Sequence, residues 1–174
     1  MDLSGVQIQT ERLSLVPITM EYKVDVFREF QEPVTEFVYS KPPTEIGETE
    51  AFIQTAIDGL KNGSNLQLVI LDKQTKEFLG CAGLHELGKP DPELGIWLKQ
   101  SAQGHKYGLE VMKAIKDWAD KNIEYEYLRY AAVEQNIPSR KIAESLGGKI
   151  VKECDLKNLV GRTHHLMEYW IERN

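Results

Sequence analysis

The chain has 174 residues, of which 41% are hydrophobic and 28% charged, with 21 Lys and Arg against 27 Asp and Glu and a formal charge of −6. That length suits one domain with one substantial core, and no apolar run is long enough to cross a bilayer. The acidic balance argues against a nucleic-acid binder, which needs a concentrated Lys/Arg surface, and Met1 to Gly5 lacks the basic and apolar regions of a signal peptide, so a single cytoplasmic domain over residues 1–174 is expected.

Val6 to Pro17 alternates apolar and polar residues, with Leu13 and Leu15 on one face, and predicts the first strand. Met20 to Phe30 reads as a helix with Val24, Phe27 and Phe30 near one side. Pro33 and Pro42-Pro43 then break the chain into a segment that is either a binding loop or a plain connector, and a second helix runs from about Thr44 to Asn62. Leu66 to Leu71, Phe78 to Leu87 and Glu93 to Leu98, separated by turn residues, predict an antiparallel meander of three strands.

The pattern then changes. Leu109, Met112, Ile115, Trp118 and Ala119 repeat at helical spacing, and Tyr127 to Val133 returns as a strand, which makes a strand-helix-strand crossover. Asn136 is placed to cap a further helix with Pro138 in its first turn, and Gly147-Gly148 stops it. Lys149 to Glu153 and Thr163 to Ile171 close the chain as two strands. The order β, α, α, three antiparallel strands, α, β, α, β, β predicts an α/β (α+β) fold with a mixed, mostly antiparallel sheet and helices on its faces.

Cys81 and Cys154 lie far apart with no CxxC partner, and both are expected to be buried thiols. His164 and His165 are adjacent on a strand and so face opposite ways, which denies one ion both rings; no metal is expected.

Between the strand Glu93 to Leu98 and the helix from Leu109 stands Gln103-Gly104-His105-Lys106-Tyr107-Gly108. A glycine-containing loop that opens a helix points several N–H groups and the positive end of the helix dipole at one spot, which suits a pyrophosphate. The same residues also fit an ordinary strand-to-helix turn in which Gly104 and Gly108 serve backbone geometry alone.

The element order, this loop, and Asn136-Ile137-Pro138-Ser139 ahead of Leu146-Gly147-Gly148 together resemble the GNAT superfamily of acetyl-CoA-dependent N-acetyltransferases. Thr10-Glu11-Arg12-Leu13-Ser14-Leu15 and Glu93-Leu94-Gly95-Ile96-Trp97-Leu98 narrow the likeness to the branch typified by ribosomal-protein N-terminal acetyltransferases. The resemblance implies a splayed central strand pair with helices on both faces, and an acetyl group passed directly from acetyl-CoA to an amine, either a protein N-terminus or a small molecule. A homodimer is consistent with it, and neither a nucleic acid nor a membrane enters.

The family's loop, Gln/Arg-x-x-Gly-x-Gly/Ala, maps onto Gln103, Lys106 and Gly108, with a lysine where the middle glycine is usual. That departure keeps a non-catalytic acyl-CoA-binding or protein-interaction module open as the alternative. By resemblance the cofactor site takes in Ile96, Trp97, Leu98, Gln103, Gly104, His105, Lys106, Tyr107, Gly108, Asn136 and Ser139, with Tyr127 to Val133 as the other lip and a backbone N–H near Trp97 or Leu98 as oxyanion donor.

Three residues carry the candidate chemistry, each with a second reading. Ser139 is a hydrogen-bond donor to the leaving sulfur or part of the helix N-terminus; no tyrosine acid occurs between Asn136 and Gly148. Asn136 bonds the cofactor arm, caps the helix, or does both. Glu93 receives the amine proton or is a solvated strand-end carboxylate, with His85 and Glu86 as the other acceptors and alternation allowing only one of those two to face the cleft.

Overall fold

The structure is a computed structural model that describes residues 1–173. Two short strands, β1 (Ile8–Gln9) and β2 (Leu13–Pro17), form an antiparallel hairpin. The expected single strand from Val6 is split because the Thr10 hydroxyl accepts from the Leu13 amide at 3.0 Å while the Thr10 amide donates to the Leu13 carbonyl, closing a tight turn. A 3₁₀ turn at Met20–Tyr22 leads to α1 (Lys23–Glu29), followed by α2 (Ile46–Asn62), β3 (Leu66–Asp72), β4 (Phe78–His85) and β5 (Glu93–Leu98). Then come α3 (Tyr107–Asn122), β6 (Tyr127–Val133), α4 (Ile137–Ser145), β7 (Lys149–Lys157) and β8 (Thr163–Glu172).

Helix ends follow local chemistry. Gly63, left-handed at φ 77°, terminates α2, and the Asn136 side chain accepts from the Ser139 amide to open α4, with Pro138 in its first turn. Such a cap contributes about 1 kcal/mol. The periodic residues of α3 do bury: Val111, Met112, Ile115 and Ala119 are fully enclosed. Truncating Met112 or Ile115 to alanine would cost about 2–5 kcal/mol.

The eight strands make one sheet in the order β1-β2-β3-β4-β5-β6-β8-β7, antiparallel everywhere except between β5 and β6. Gln67 and His85 face Phe52 and Thr55 of α2. Gln67, Gly83 and Gly95 are cross-strand partners, so Ile96 projects to the opposite face, where it approaches Gly108 of α3 beside Ile142 of α4. Helices therefore cover both faces. Among the described residues no helix is long and apolar enough to cross a membrane.

Cys81 is buried as expected, and burial pushes its thiol pKa well up. Cys154 is exposed, which corrects the expectation of two buried thiols: β7 is an outer strand of the sheet, paired on one side only, and all nine of its residues are exposed.

Candidate active site

The parallel strands β5 and β6 hold register at only two positions, Glu93 with Arg129 and Leu94 with Tyr130. Beyond them the strands diverge. Because β4 uses alternate backbone groups of β5, the intervening N–H and C=O groups of Gly95 to Leu98 are left facing the gap. The gap opens into a cavity of about 1520 Å³, and every expected site residue except His105 lines it.

At the open end the chain turns through a 3₁₀ segment at Gln100–Ala102 into α3. Gln103 donates from its side-chain amide to the Leu98 carbonyl at 3.1 Å, pinning the loop to the splayed strand. Among the described residues, no protein acceptor takes the backbone amides of residues 104–109. Six consecutive free N–H groups at a helix N-terminus form a nest for an anion, and Lys106 and Lys141 add positive charge to the same cavity. Lys106 adopts the glycine-like conformation itself, at φ 62°, next to Gly104 at φ 82°. A side chain there costs roughly 1–2 kcal/mol, so the loop keeps its shape despite the lysine. These groups fit the pyrophosphate of acetyl-CoA. His105 stands apart: its ring is exposed and stacks on Tyr107 with centroids 5.5 Å apart.

Glu93 sits at the vertex of the gap, 3.3 Å from the Arg129 guanidinium, which also holds Glu86 at 2.5 Å and Asp91 at 3.2 Å. Burial raises the Glu93 carboxyl above its ordinary range, Arg129 opposes the shift, and Glu86, Glu168 and Asp91 add to it. Directly across the strands lies His85, whose imidazole rests on the shelf left by two glycines: a Cβ on Gly83 or Gly95 would come within 3.2 or 3.3 Å of the ring. Burial lowers the His85 pKa, only partly offset by Glu86, so the ring is neutral at pH 7. Glu86 takes φ 60° and turns out of the cavity lining toward Lys89 and Arg129. Of the neighbouring pair, His85 is thus the one that faces the cleft.

On α4, Asn136 and Ser139 both line the cavity, and the Ser139 hydroxyl meets the Tyr130 hydroxyl of β6 at 2.9 Å. Burial raises the Tyr130 pKa although the bond from Ser139 opposes the shift, so the phenol stays protonated. Tyr130 carried no distinguishing signal in the sequence; it reads as one more apolar strand position.

The remaining wall draws on the Pro-flanked segment, in line with its reading as a binding loop, and on the last hairpin, but its individual residues were not legible. It combines Phe37 and Tyr39 from the segment between α1 and α2, Phe52 of α2, Gln67 of β3, and Leu156 and His164 of the last hairpin. Among the described residues only two acids, Glu36 and Glu93, line the cavity. His164 faces it, edge-on to Phe37, with its Nε2 buried and unpartnered, while His165 on the opposite face contacts Glu153 and Asp155 at 3.0 and 2.8 Å. Trp97 packs against Phe30 and Phe78.

The model of the acetyltransferase (GNAT) domain family matches residues 12–149. No curated protein sequence matches the chain. Among solved structures, the ribosomal-protein-S5-alanine acetyltransferase of Vibrio fischeri superimposes with a TM-score of 0.84 at 16% identity, covering 98% of each chain. The spermidine N-acetyltransferase of Vibrio cholerae, in complex with CoA and spermine, gives 0.81 at 14% identity, over 93% of this chain and 96% of its own. A GNAT-family acetyltransferase from Bacillus anthracis gives 0.81 at 15%, over 97% and 99%.

Proposed function

From the premise that the chain belongs to the GNAT acetyltransferase family, and so is an acetyl-CoA-dependent N-acetyltransferase, we propose that its acceptor is the N-terminal amine of a protein or peptide. The observation that carries this reading is the character of the acceptor wall: open, aromatic and poor in acid. A polyamine brings further ammonium groups that need carboxylate partners when desolvated. Here Glu36 is exposed and Glu93 is compensated by Arg129. A single amine on an extended, partly apolar body suits such a wall better, in line with the ribosomal-protein acetyltransferase of Vibrio fischeri among the similar structures.

When bound, acetyl-CoA supplies the acetyl group as an activated thioester. The amides of residues 104–109 hold its pyrophosphate, and Lys106 and Lys141 add positive charge beside it. The backbone groups of Ile96 and the Leu98 amide face the gap and supply hydrogen-bond donors and an acceptor there, whereas Trp97, expected among them, turns its backbone groups to β4. Glu93 accepts the proton of the acceptor ammonium: its raised pKa makes it a better base than an ordinary carboxylate, and it stands at the vertex of the gap. Either hydroxyl can donate in the Tyr130–Ser139 pair; with Tyr130 as the donor, the Ser139 hydroxyl is free to donate toward the departing sulfur. Asn136 fixes the turn that presents Ser139.

His85 is a second acceptor, favoured by its neutral ring on the glycine shelf opposite Glu93. The test is initial-rate acetylation of a peptide panel beside spermidine, with free thiol release as the readout. Peptides are expected to show kcat/KM at least tenfold above spermidine. Equal or better use of spermidine refutes the peptide reading, and CoA binding without transfer to any amine supports the non-catalytic alternative.

A further inference from the structure

The motif Thr10-Glu11-Arg12 lies outside the cavity lining, yet it reaches across the fold to the loop that opens α3. The Arg12 guanidinium bonds Glu110 Oε2 through Nε at 2.7 Å and through Nη2 at 2.7 Å, and Nη1 donates to the His105 carbonyl at 3.1 Å. Its plane also covers the Tyr107 ring, with Cζ 4.5 Å from the centroid. Two more donors finish the grip on Glu110: the Arg12 amide at 3.0 Å and the Thr10 hydroxyl at 2.6 Å, both to Oε1. Lys73 steadies the turn in its place by donating to the Thr10 carbonyl at 2.8 Å.

The loop needs such a brace. With the amides of residues 104–109 left free, and Gly104 and Lys106 both left-handed, the loop has few hydrogen bonds of its own to hold that shape. Glu110 adds an electrostatic demand. It is an acid in the first turn of α3, where it suits the helix dipole but opposes any anion brought to the same amides. Arg12 answers both: its fork fixes the backbone at His105 and compensates the carboxylate at Glu110.

We propose that Arg12 is a positioning residue for the phosphate-binding loop, holding residues 104–109 in register and shielding the cofactor's pyrophosphate from Glu110. This rests on the reading that those amides hold the pyrophosphate of acetyl-CoA. Arg12 touches no reacting atom, so its effect falls on the nucleotide end of the cofactor and leaves the chemical step alone.

S-acetylpantetheine, which has the thioester arm without the pyrophosphate, separates this role from general stability. With the unmodified enzyme, KM for acetyl-CoA is expected to lie well below that for S-acetylpantetheine. Arg12→Ala raises the KM for acetyl-CoA about tenfold at unchanged kcat and leaves the KM for S-acetylpantetheine in place. Arg12→Lys, which keeps the charge and loses the fork, falls between, and adding Glu110→Gln to Arg12→Ala recovers part of the loss by removing the uncompensated carboxylate. Equal loss with both thioesters, or a folded Arg12→Ala enzyme with unaltered KM for acetyl-CoA, overturns the brace. Equal KM values for the two thioesters in the unmodified enzyme overturn the phosphate-loop reading on which it rests, and the brace with it.

Discussion

The two halves of the cavity are built from different materials. The half assigned to the cofactor is mostly backbone, drawn from one contiguous run between Glu93 and Leu109 and the first turn of α4. The half assigned to the acceptor is mostly side chains, drawn from Phe37, Tyr39, Phe52, Gln67, His85, Leu156 and His164, which more than a hundred residues separate at the extremes. Its front is tied to the last hairpin by long-range bonds: the Leu159 amide to the Tyr39 carbonyl at 3.0 Å, and Arg162 to Glu32 at 3.1 Å. A backbone-made site survives replacement of nearly every side chain, as Lys106 in a left-handed position illustrates. A side-chain-made site changes with each substitution, so that half carries what is individual to this enzyme.

The sharpest break between the halves is expected from Gly104→Asp. A Cβ there meets nothing within 4 Å, so the structural cost is confined to the left-handed backbone at φ 82°, roughly 1–2 kcal/mol, while a carboxylate enters the amide nest. Calorimetric titration should show CoA affinity weakened about 100-fold, roughly 2.7 kcal/mol. Unchanged affinity would remove the loop from the cofactor half.

Glu93→Gln should lower kcat at pH 7 on the order of 100-fold with CoA binding intact. The pH dependence sharpens this. Glu93 is active as the carboxylate, so kcat/KM climbs as pH rises through its raised pKa, and the glutamine variant loses that limb. The stability sign is opposite: a carboxyl whose folded pKa is raised favours the fold while protonated, and that advantage fades as pH rises through the folded pKa. Calorimetric scans at pH 7 should therefore show no fall in Tm for Glu93→Gln, and a fall would mean that its pairing with Arg129 is structural.

Phe52→Ala and Tyr39→Ala, both at exposed aromatic positions on the acceptor wall, should each raise the acceptor KM about tenfold or less while leaving the KM for acetyl-CoA alone. An equal shift in both constants would erase the division between the halves. The smallest effect is expected from Ser139→Ala, a fall in kcat of roughly threefold to tenfold, with Tyr130→Phe similar and the double variant little worse than either. Full additivity would mean that the two hydroxyls act separately.

The element order was legible because its signals are local: turn residues bounding β3, β4 and β5, 3.6-residue spacing in α3, and a capping asparagine before α4. The glycine-containing loop before α3 was legible as contiguous residues with two readings, an anion site or a plain strand-to-helix turn. The turn that divides β1 from β2 was hidden in one threonine hydroxyl, and the exposure of Cys154 depended on β7 lying at the rim of the sheet. Tyr130 and Arg129 escaped for the same reason. Their meaning arises only from Ser139 and Glu93, which the crossover and the strand register bring beside them. Chain neighbours encode backbone conformation, whereas partnerships between distant side chains exist only after folding.

The two-residue seam between β5 and β6 has a mechanical consequence. The hydrogen-bonded ladder joins β1 through β5 on one side and β6, β8 and β7 on the other, and just two register positions stitch them together. The molecule is in effect two stiff plates sharing a short hinge. A guest lying along the open seam becomes part of the load path between them, so occupancy should slow hydrogen exchange on both plates at once and raise the temperature at which they part.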